Sequence, residues 1–181
     1  MKKMFTLISL VLLASSAFAG NYKVDASHTF AWFKVSHLGV ADTMGQFREA
    51  EGNFDLEAGT FSFTLKAASL DTNDAKRDEH LKGPDFFNAK QFPVIQFKSS
   101  KVESLGGNRY KVTGELALHG KKKEITVEIT KTGEGADPWG NHRQGLEASF
   151  TLNRLDFGMN FMEDLIGHEV TIQFTTEGIK G

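Results

Sequence analysis

Apolar and polar residues alternate with period two along most of this chain. Tyr110-Lys111-Val112-Thr113-Gly114-Glu115-Leu116-Ala117-Leu118 carries the pattern, as does Glu124-Ile125-Thr126-Val127-Glu128-Ile129-Thr130. Leu146-Glu147-Ala148-Ser149-Phe150-Thr151-Leu152 and Glu169-Val170-Thr171-Ile172-Gln173-Phe174-Thr175 repeat it near the end. Successive side chains of a strand point to opposite faces, so each segment has one apolar face and one wet face. The pattern predicts strands near 22–24, 29–36, 46–56, 60–68, 94–103, 108–119, 123–132, 143–153 and 168–177. Turn chemistry separates them at Glu57-Ala58-Gly59, Leu105-Gly106-Gly107-Asn108 and the stretch from Gly133 to Gly140. Short connections favour antiparallel neighbours. Such a series of strands forms an all-β sandwich or barrel around an apolar interior.

Two connections break the rhythm. From Asp71 to Pro84 the alternation stops; Asn73 or Asp74 caps a short helix, and Gly83-Pro84 ends it. Leu81, Phe86 and Phe87 form an apolar cluster beside that helix. The second connection, Phe157-Gly158-Met159-Asn160-Phe161-Met162-Glu163-Asp164-Leu165-Ile166-Gly167, is equally rich in large apolar residues. Loops are ordinarily polar, so these two segments read as lids over the mouth of a barrel.

The first residues form a separate unit. Met1-Lys2-Lys3 is basic, Phe5 to Ala14 is apolar, and Ala17 and Ala19 precede Gly20. That is the layout of a secretory signal peptide cleaved after Ala19. The apolar run falls short of the roughly 20 residues a spanning helix needs. The expectation is a signal segment over 1–19, a single domain over 20–181 and a periplasmic destination. The chain contains no cysteine, so disulfides do not staple the domain and its core must suffice.

Charge narrows the partners. The formal net charge is −2 for the whole chain, and loss of Lys2 and Lys3 takes it to −4. Nucleic-acid binding wants a basic face, and the single basic run, Lys121-Lys122-Lys123, suits a solvated hairpin turn. No nucleic-acid partner is expected. His28, His37, His80, His119, His142 and His168 show no HxH or HExxH spacing, so no metal is expected. The chain has no GxSxG elbow, GxGxxG loop or cysteine nucleophile, and hence no catalytic residue or cofactor is assigned. Arg77, Asp78 and His80 crowd into one helical turn beside the apolar cluster. They read either as a helix cap with a local ion pair or as a polar collar for a ligand's head.

Phenylalanine is the more informative signal. The chain has sixteen, and only Phe5 and Phe18 precede residue 20. Phe30, Phe47, Phe54, Phe61, Phe63, Phe97, Phe150 and Phe174 occupy strand positions that can face inward. An eight-stranded barrel is the size whose interior is either filled or holds one ligand. The extra apolar bulk of Leu81, Phe86, Phe87, Phe157, Met159, Phe161 and Met162 exceeds what capping a filled barrel requires.

Taken in order, these residues resemble the YceI-like polyisoprenoid-binding proteins over almost the whole of 20–181. The likeness rests on Asp25-Ala26-Ser27-His28-Thr29-Phe30, Val35-Ser36-His37-Leu38-Gly39 and Gly45-Gln46-Phe47. It continues through Arg77-Asp78-Glu79-His80-Leu81, Asp85-Phe86-Phe87 and Phe92-Pro93-Val94-Ile95-Gln96-Phe97. Val112-Thr113-Gly114-Glu115-Leu116, Leu118-His119-Gly120 and Asn153-Arg154-Leu155-Asp156-Phe157-Gly158 complete it. The resemblance implies an antiparallel eight-stranded lipocalin-like barrel with a short helix and apolar lids, holding a long-chain isoprenoid lipid. The Gly-x-Trp of true lipocalins is absent, since Phe30-Ala31 precedes Trp32.

On this reading the apolar tail meets Phe30, Trp32, Phe47, Leu81, Phe86, Phe87, Phe97, Leu116, Phe150, Phe157, Met159, Phe161 and Phe174. Arg77 and His80 meet the head group. A buried CH₂ contributes about 0.8 kcal/mol, against an association cost of roughly 4–15 kcal/mol, so about ten carbons only break even and a long tail is required. Two rivals stay open: an enzyme acting on a hydrophobic substrate through Arg77, Asp78 and His80, and a filled-barrel interaction module. Transient contact with a membrane or membrane protein fits the carrier reading. Oligomeric state is left open.

Overall fold

The computed structural model describes residues 20–181; the expected signal segment lies outside them. The strands are β1 (Tyr22–His37), β2 (Ala41–Phe47), β3 (Ala50–Asp55), β4 (Thr60–Lys66), β5 (Leu70–Asp71), β6 (Val94–Gly106), β7 (Arg109–Leu118), β8 (Lys121–Ala136), β9 (His142–Asn153) and β10 (Ile166–Lys180). The one α-helix among the described residues is α1 (Ala75–Lys82). The strands are hydrogen-bonded in the order β10-β9-β8-β7-β6-β4-β3-β1-β2-β5, and β1 also pairs with β10, closing the sheet.

β2 and β3 are two parts of one stave: β1 pairs with β3 at Tyr22 and Lys23, then with β2 from Ala31 to His37. β5 adds only two residues to the edge of β2. Eight antiparallel staves therefore enclose the interior, the expected barrel. Its strand limits differ from the alternation pattern in several places, and the single strand expected over 46–56 is broken between Phe47 and Ala50 into β2 and β3. The segments at 22–24 and 29–36 are a single strand, because a bulge absorbs residues 26–28 between the pairs Asp25↔Glu177 and Thr29↔Thr176. β2 begins at Ala41, before the expected 46, and β8 runs on to Ala136 through Gly133 and Gly135.

Register explains where the barrel is full and where it is hollow. Around one layer the inward residues run Phe47, Ala31, Phe174, Ala148, Ile129, each paired with the next across a strand boundary. Alanines alternate with bulky residues, so the layer fails to fill its own centre. Nearer one end large residues dominate instead. Phe54, Leu146 and Val112 are fully buried there, and Tyr22 stacks on Phe54 with ring centroids 5.4 Å apart. That end is closed.

Polar ties hold the closed end. Arg143 donates to Asp25 (2.8 Å), Asp137 (2.8 Å) and Glu177 (2.9 Å), joining β1, the β8–β9 turn and β10. Glu134 accepts from Tyr22 Oη (2.9 Å), contacts His142 Nε2 (2.9 Å) and pairs with Lys131 (3.1 Å). These bonds, that of His142 above all, hold the Glu134 carboxyl down at about 2. The bond from Arg143 likewise keeps Asp137 below the usual carboxylate range, and the bond from Ser27 does the same for Asp25. A carboxylate whose folded pKa is depressed stabilises the fold above its unfolded pKa and loses that contribution as pH falls through the folded value. The unfolding midpoint should therefore stay level down to about pH 4.5 and fall progressively toward pH 2, as read by circular dichroism melts across an acid series. A midpoint unchanged at pH 2.5 would contradict this assignment.

The opposite end is a mouth. α1 lies over it, started by Asp74, whose side chain accepts from the Arg77 amide, and ended at Gly83. A single helical turn over residues 154–157 then leads into the second connection. Both apolar connections reach this end, where Phe86 meets Phe161 with ring centroids 5.5 Å apart.

Candidate functional site: an apolar cavity with one polar rim

Between the closed end and the mouth lies a cavity of about 320 Å³. Phe61 and Phe63 line it with the layer of Ala31, Phe47, Ile129, Ala148 and Phe174, joined by Phe97, Leu116 and Phe150. At the mouth it is bounded by Leu81, Phe86, Phe87, Phe157, Met159 and Met162. The volume lies in the range of small-molecule sites, which are typically apolar and concave with a few placed polar groups.

Most residues singled out from sequence meet here. Phe47, Leu81, Phe86, Phe87, Phe97, Leu116, Phe150, Phe157, Met159 and Phe174 line the cavity, as do Arg77 and His80. Three stand differently. Phe30 is not in the lining; it is 44 % exposed and lies on the outer face. Trp32 borders the cavity, yet it is 43 % exposed and its Nε1 donates to Gln46 (3.0 Å) on the neighbouring outer face. The bulge at residues 26–28 sets this parity: after it, Ala31, Phe33 and Val35 point inward, and Phe30 and Trp32 point out. Phe161 forms part of the rim, outside the lining, and packs on His80 and Phe86.

The helical polar cluster is partly spoken for. Asp78 accepts from the Thr72 amide (2.8 Å) and hydroxyl (2.6 Å), and Arg77 donates to the Thr72 hydroxyl (2.8 Å) and carbonyl (2.7 Å). These bonds anchor α1 to the end of β5. His80 Nε2 lies 3.0 Å from Asp85 Oδ2, and its ring stands edge-on to Phe86 and Phe161. Among the described residues, no group of three or more His, Asp or Glu side chains is placed to hold a metal.

Arg154 is the residue that sequence reasoning missed. It is 4 % exposed and lines the cavity, and among the described residues no carboxylate forms an ion pair with it. Its guanidinium donates instead to five backbone carbonyls: Gly167 (3.0 Å), Phe161 (3.0 Å), Ile166 (2.9 Å), Met162 (3.4 Å) and Met159. All five N–H donors of arginine are thereby used. Burial pushes its pKa down, opposed by the charge of Glu163. The consequence is mechanical: one side chain shapes the whole 159–167 connection over the mouth. The signal in the sequence was a lone arginine at a strand end followed by an apolar loop, a pattern equally consistent with an exposed charge.

Fold and cavity together define a closed antiparallel β-barrel with an internal apolar binding space, open at one end. A family model for the YceI-like domain matches residues 22–178. The UPF0312 protein plu2095 of Photorhabdus laumondii is 39 % identical over 181 residues, covering 95 % of this chain and 93 % of that protein. Among solved structures, BcnA of Burkholderia cenocepacia is similar with a TM-score of 0.75 and 28 % identity, covering 85 % of this chain and 98 % of its own. A polyisoprenoid-binding domain from Saccharophagus degradans shares the fold with a TM-score of 0.70 at 16 % identity, covering 88 % and 98 % of the two chains. The chain belongs to the YceI-like family.

Proposed function

We propose that this protein binds one long-chain isoprenoid lipid, with a polyprenyl or quinone-type tail, and stores or transports it without covalent chemistry. The observation that carries the reading is the unfilled, apolar interior closed at one end. Such a space suits a hydrocarbon thread entered from the mouth, and the polyisoprenoid-binding domain of similar fold supports the ligand class. The tail lies along Phe47, Phe97, Leu116, Phe150 and Phe174, and the head stays at the rim beside Arg77 and His80. The signal-peptide layout of residues 1–19 makes the periplasm the place of action, between the two membranes that hold such lipids. An unfilled interior favours the carrier over the filled-barrel module, and the Thr72 bonds of Arg77 and Asp78 favour an anchoring role for part of the helical cluster.

Native mass spectrometry of gently purified protein tests the proposal. The expected result is a one-to-one adduct that organic solvent removes and that polyprenol restores. A bare chain after incubation with polyprenol and with a long-tailed quinone would sink it. His80→Ala should leave uptake of a head-less hydrocarbon unchanged and weaken a polyprenyl phosphate severalfold, and Arg77→Ala, which also frees α1 from Thr72, should weaken the phosphate further than the hydrocarbon. Equal affinities for both ligands in the variants would remove the head-group role.

A further inference from the structure

The turn between β1 and β2 breaks a local rule in a way that points outward from the cavity. Val40 N donates to His37 O (3.1 Å), and Leu38 and Gly39, the two central residues, both have left-handed φ, 56° and 64°. Such a turn favours Asn-Gly. Leucine at the first position is strained. Nothing inside the fold repays it, since Leu38 is 51 % exposed and Val40 84 % exposed. Violations of local preference cluster at functional positions.

The tip does not stand alone. Leu38 N donates to Leu165 O (2.7 Å), which joins the tip to the connection that forms the rim. Leu165 and Phe161 are themselves substantially exposed. Down the outer face of the same hairpin follow Met44 and Trp32, the latter presenting its ring with its polar tip on Gln46. A short apolar strip thus runs from the hairpin tip, Leu38 and Val40, through Leu165 to the mouth, separated from Met44 and Trp32 on the outer face by Ser36 and the Lys34–Asp42 ion pair (3.2 Å). Lys121, Lys122 and Lys123 open β8 at this end too, but across the mouth from the hairpin, with Lys122 paired to Glu115 (2.8 Å) and Lys123 to Asp156 (3.1 Å).

We infer that this strip docks the mouth onto a lipid bilayer. The choice of occupant rests on three observations. The strip is continuous with the rim of a cavity whose ligand, on the reading proposed above, resides in membranes. Its most exposed members sit on a projecting hairpin tip, a convex shape that enters a soft interface more readily than it pairs with a copy of itself. Beyond the Lys34–Asp42 pair, Trp32 has the apolar body and polar tip that favour a membrane–water boundary. Among the described residues no helix is long and apolar enough to cross a membrane.

The test is flotation of the full domain with vesicles of phosphatidylethanolamine and phosphatidylglycerol, alongside polyprenol uptake from detergent micelles. Leu38→Asn with Val40→Ser supplies the variant. Asparagine suits the left-handed position, so the variant should melt at the same or a higher temperature while its vesicle affinity falls about tenfold or more. Uptake from micelles should be unchanged. Wild-type protein that takes polyprenol from micelles but fails to float overturns the docking surface and leaves the carrier reading intact. Flotation of a protein that never takes up polyprenol does the reverse. A concentration-dependent dimer that the variant abolishes would reassign the strip to a second copy and overturn the inference.

Discussion

Ala148→Phe should abolish uptake of a long isoprenoid while the barrel folds as before. Ala148 lies in the layer where alanines alternate with phenylalanines, between Phe174 and Ile129, and lines the cavity. A phenyl ring placed there occupies space otherwise open to the ligand. Displacing about six ligand carbons at about 0.8 kcal/mol each loses about 5 kcal/mol of binding, more than a thousandfold in affinity. The new ring fills a void and gains contacts, so the unfolding temperature should hold or rise. Titration with a fluorescent polyprenol analogue, paired with a thermal melt, reads both quantities. Undiminished binding in a folded variant would show that the ligand lies elsewhere.

Arg154→Met should be the most damaging single change to stability. It removes five hydrogen bonds to the carbonyls of 159–167 and leaves those groups to find other partners. An orphaned buried acceptor costs about 1–3 kcal/mol, and water admitted by a loosened loop recovers part of that. A net loss of about 3–5 kcal/mol follows, lowering the melting temperature by roughly 6–20 °C for a domain of this size. Proteolytic cleavage should appear first in the 159–166 segment. Lysine is no substitute, because one ammonium cannot span five carbonyls. A variant that melts with the wild type and resists cleavage would show that the guanidinium is not what holds the connection.

How far the sequence led depended on the kind of signal each feature left. Strands with a full period-two record, such as β7, β8 and β9, were legible because inward and outward positions differ in chemistry. β2 was missed at its start since Ala41-Asp42-Thr43-Met44-Gly45 lacks that contrast, and its pairing comes from β1 alone. The bulge at residues 26–28 left no hydrophobic trace, although it decides that Phe30 faces outward. The alternation names two faces and cannot say which is inside: Phe30 belongs to the outer surface, while Trp32 borders the cavity with its ring largely exposed. Apolar lid residues were found because greasy loops are anomalous. Arg154 escaped notice because burial of a charge depends on carbonyl geometry, which composition does not encode.

Pairing of the first strand with the last has a consequence for assembly. Tyr22 faces Lys180, and the Gly181 amide reaches the Asn21 carbonyl at 3.0 Å. As the polypeptide is made, β1 therefore waits with one flank open until β10 has appeared, more than a hundred residues later. Contacts of such sequence separation make folding slow, and an unsatisfied strand flank meanwhile invites association with other chains. Whatever escorts the nascent chain must shield that flank until β10 emerges, and trimming β10 would leave two adhesive borders where the finished cylinder has none.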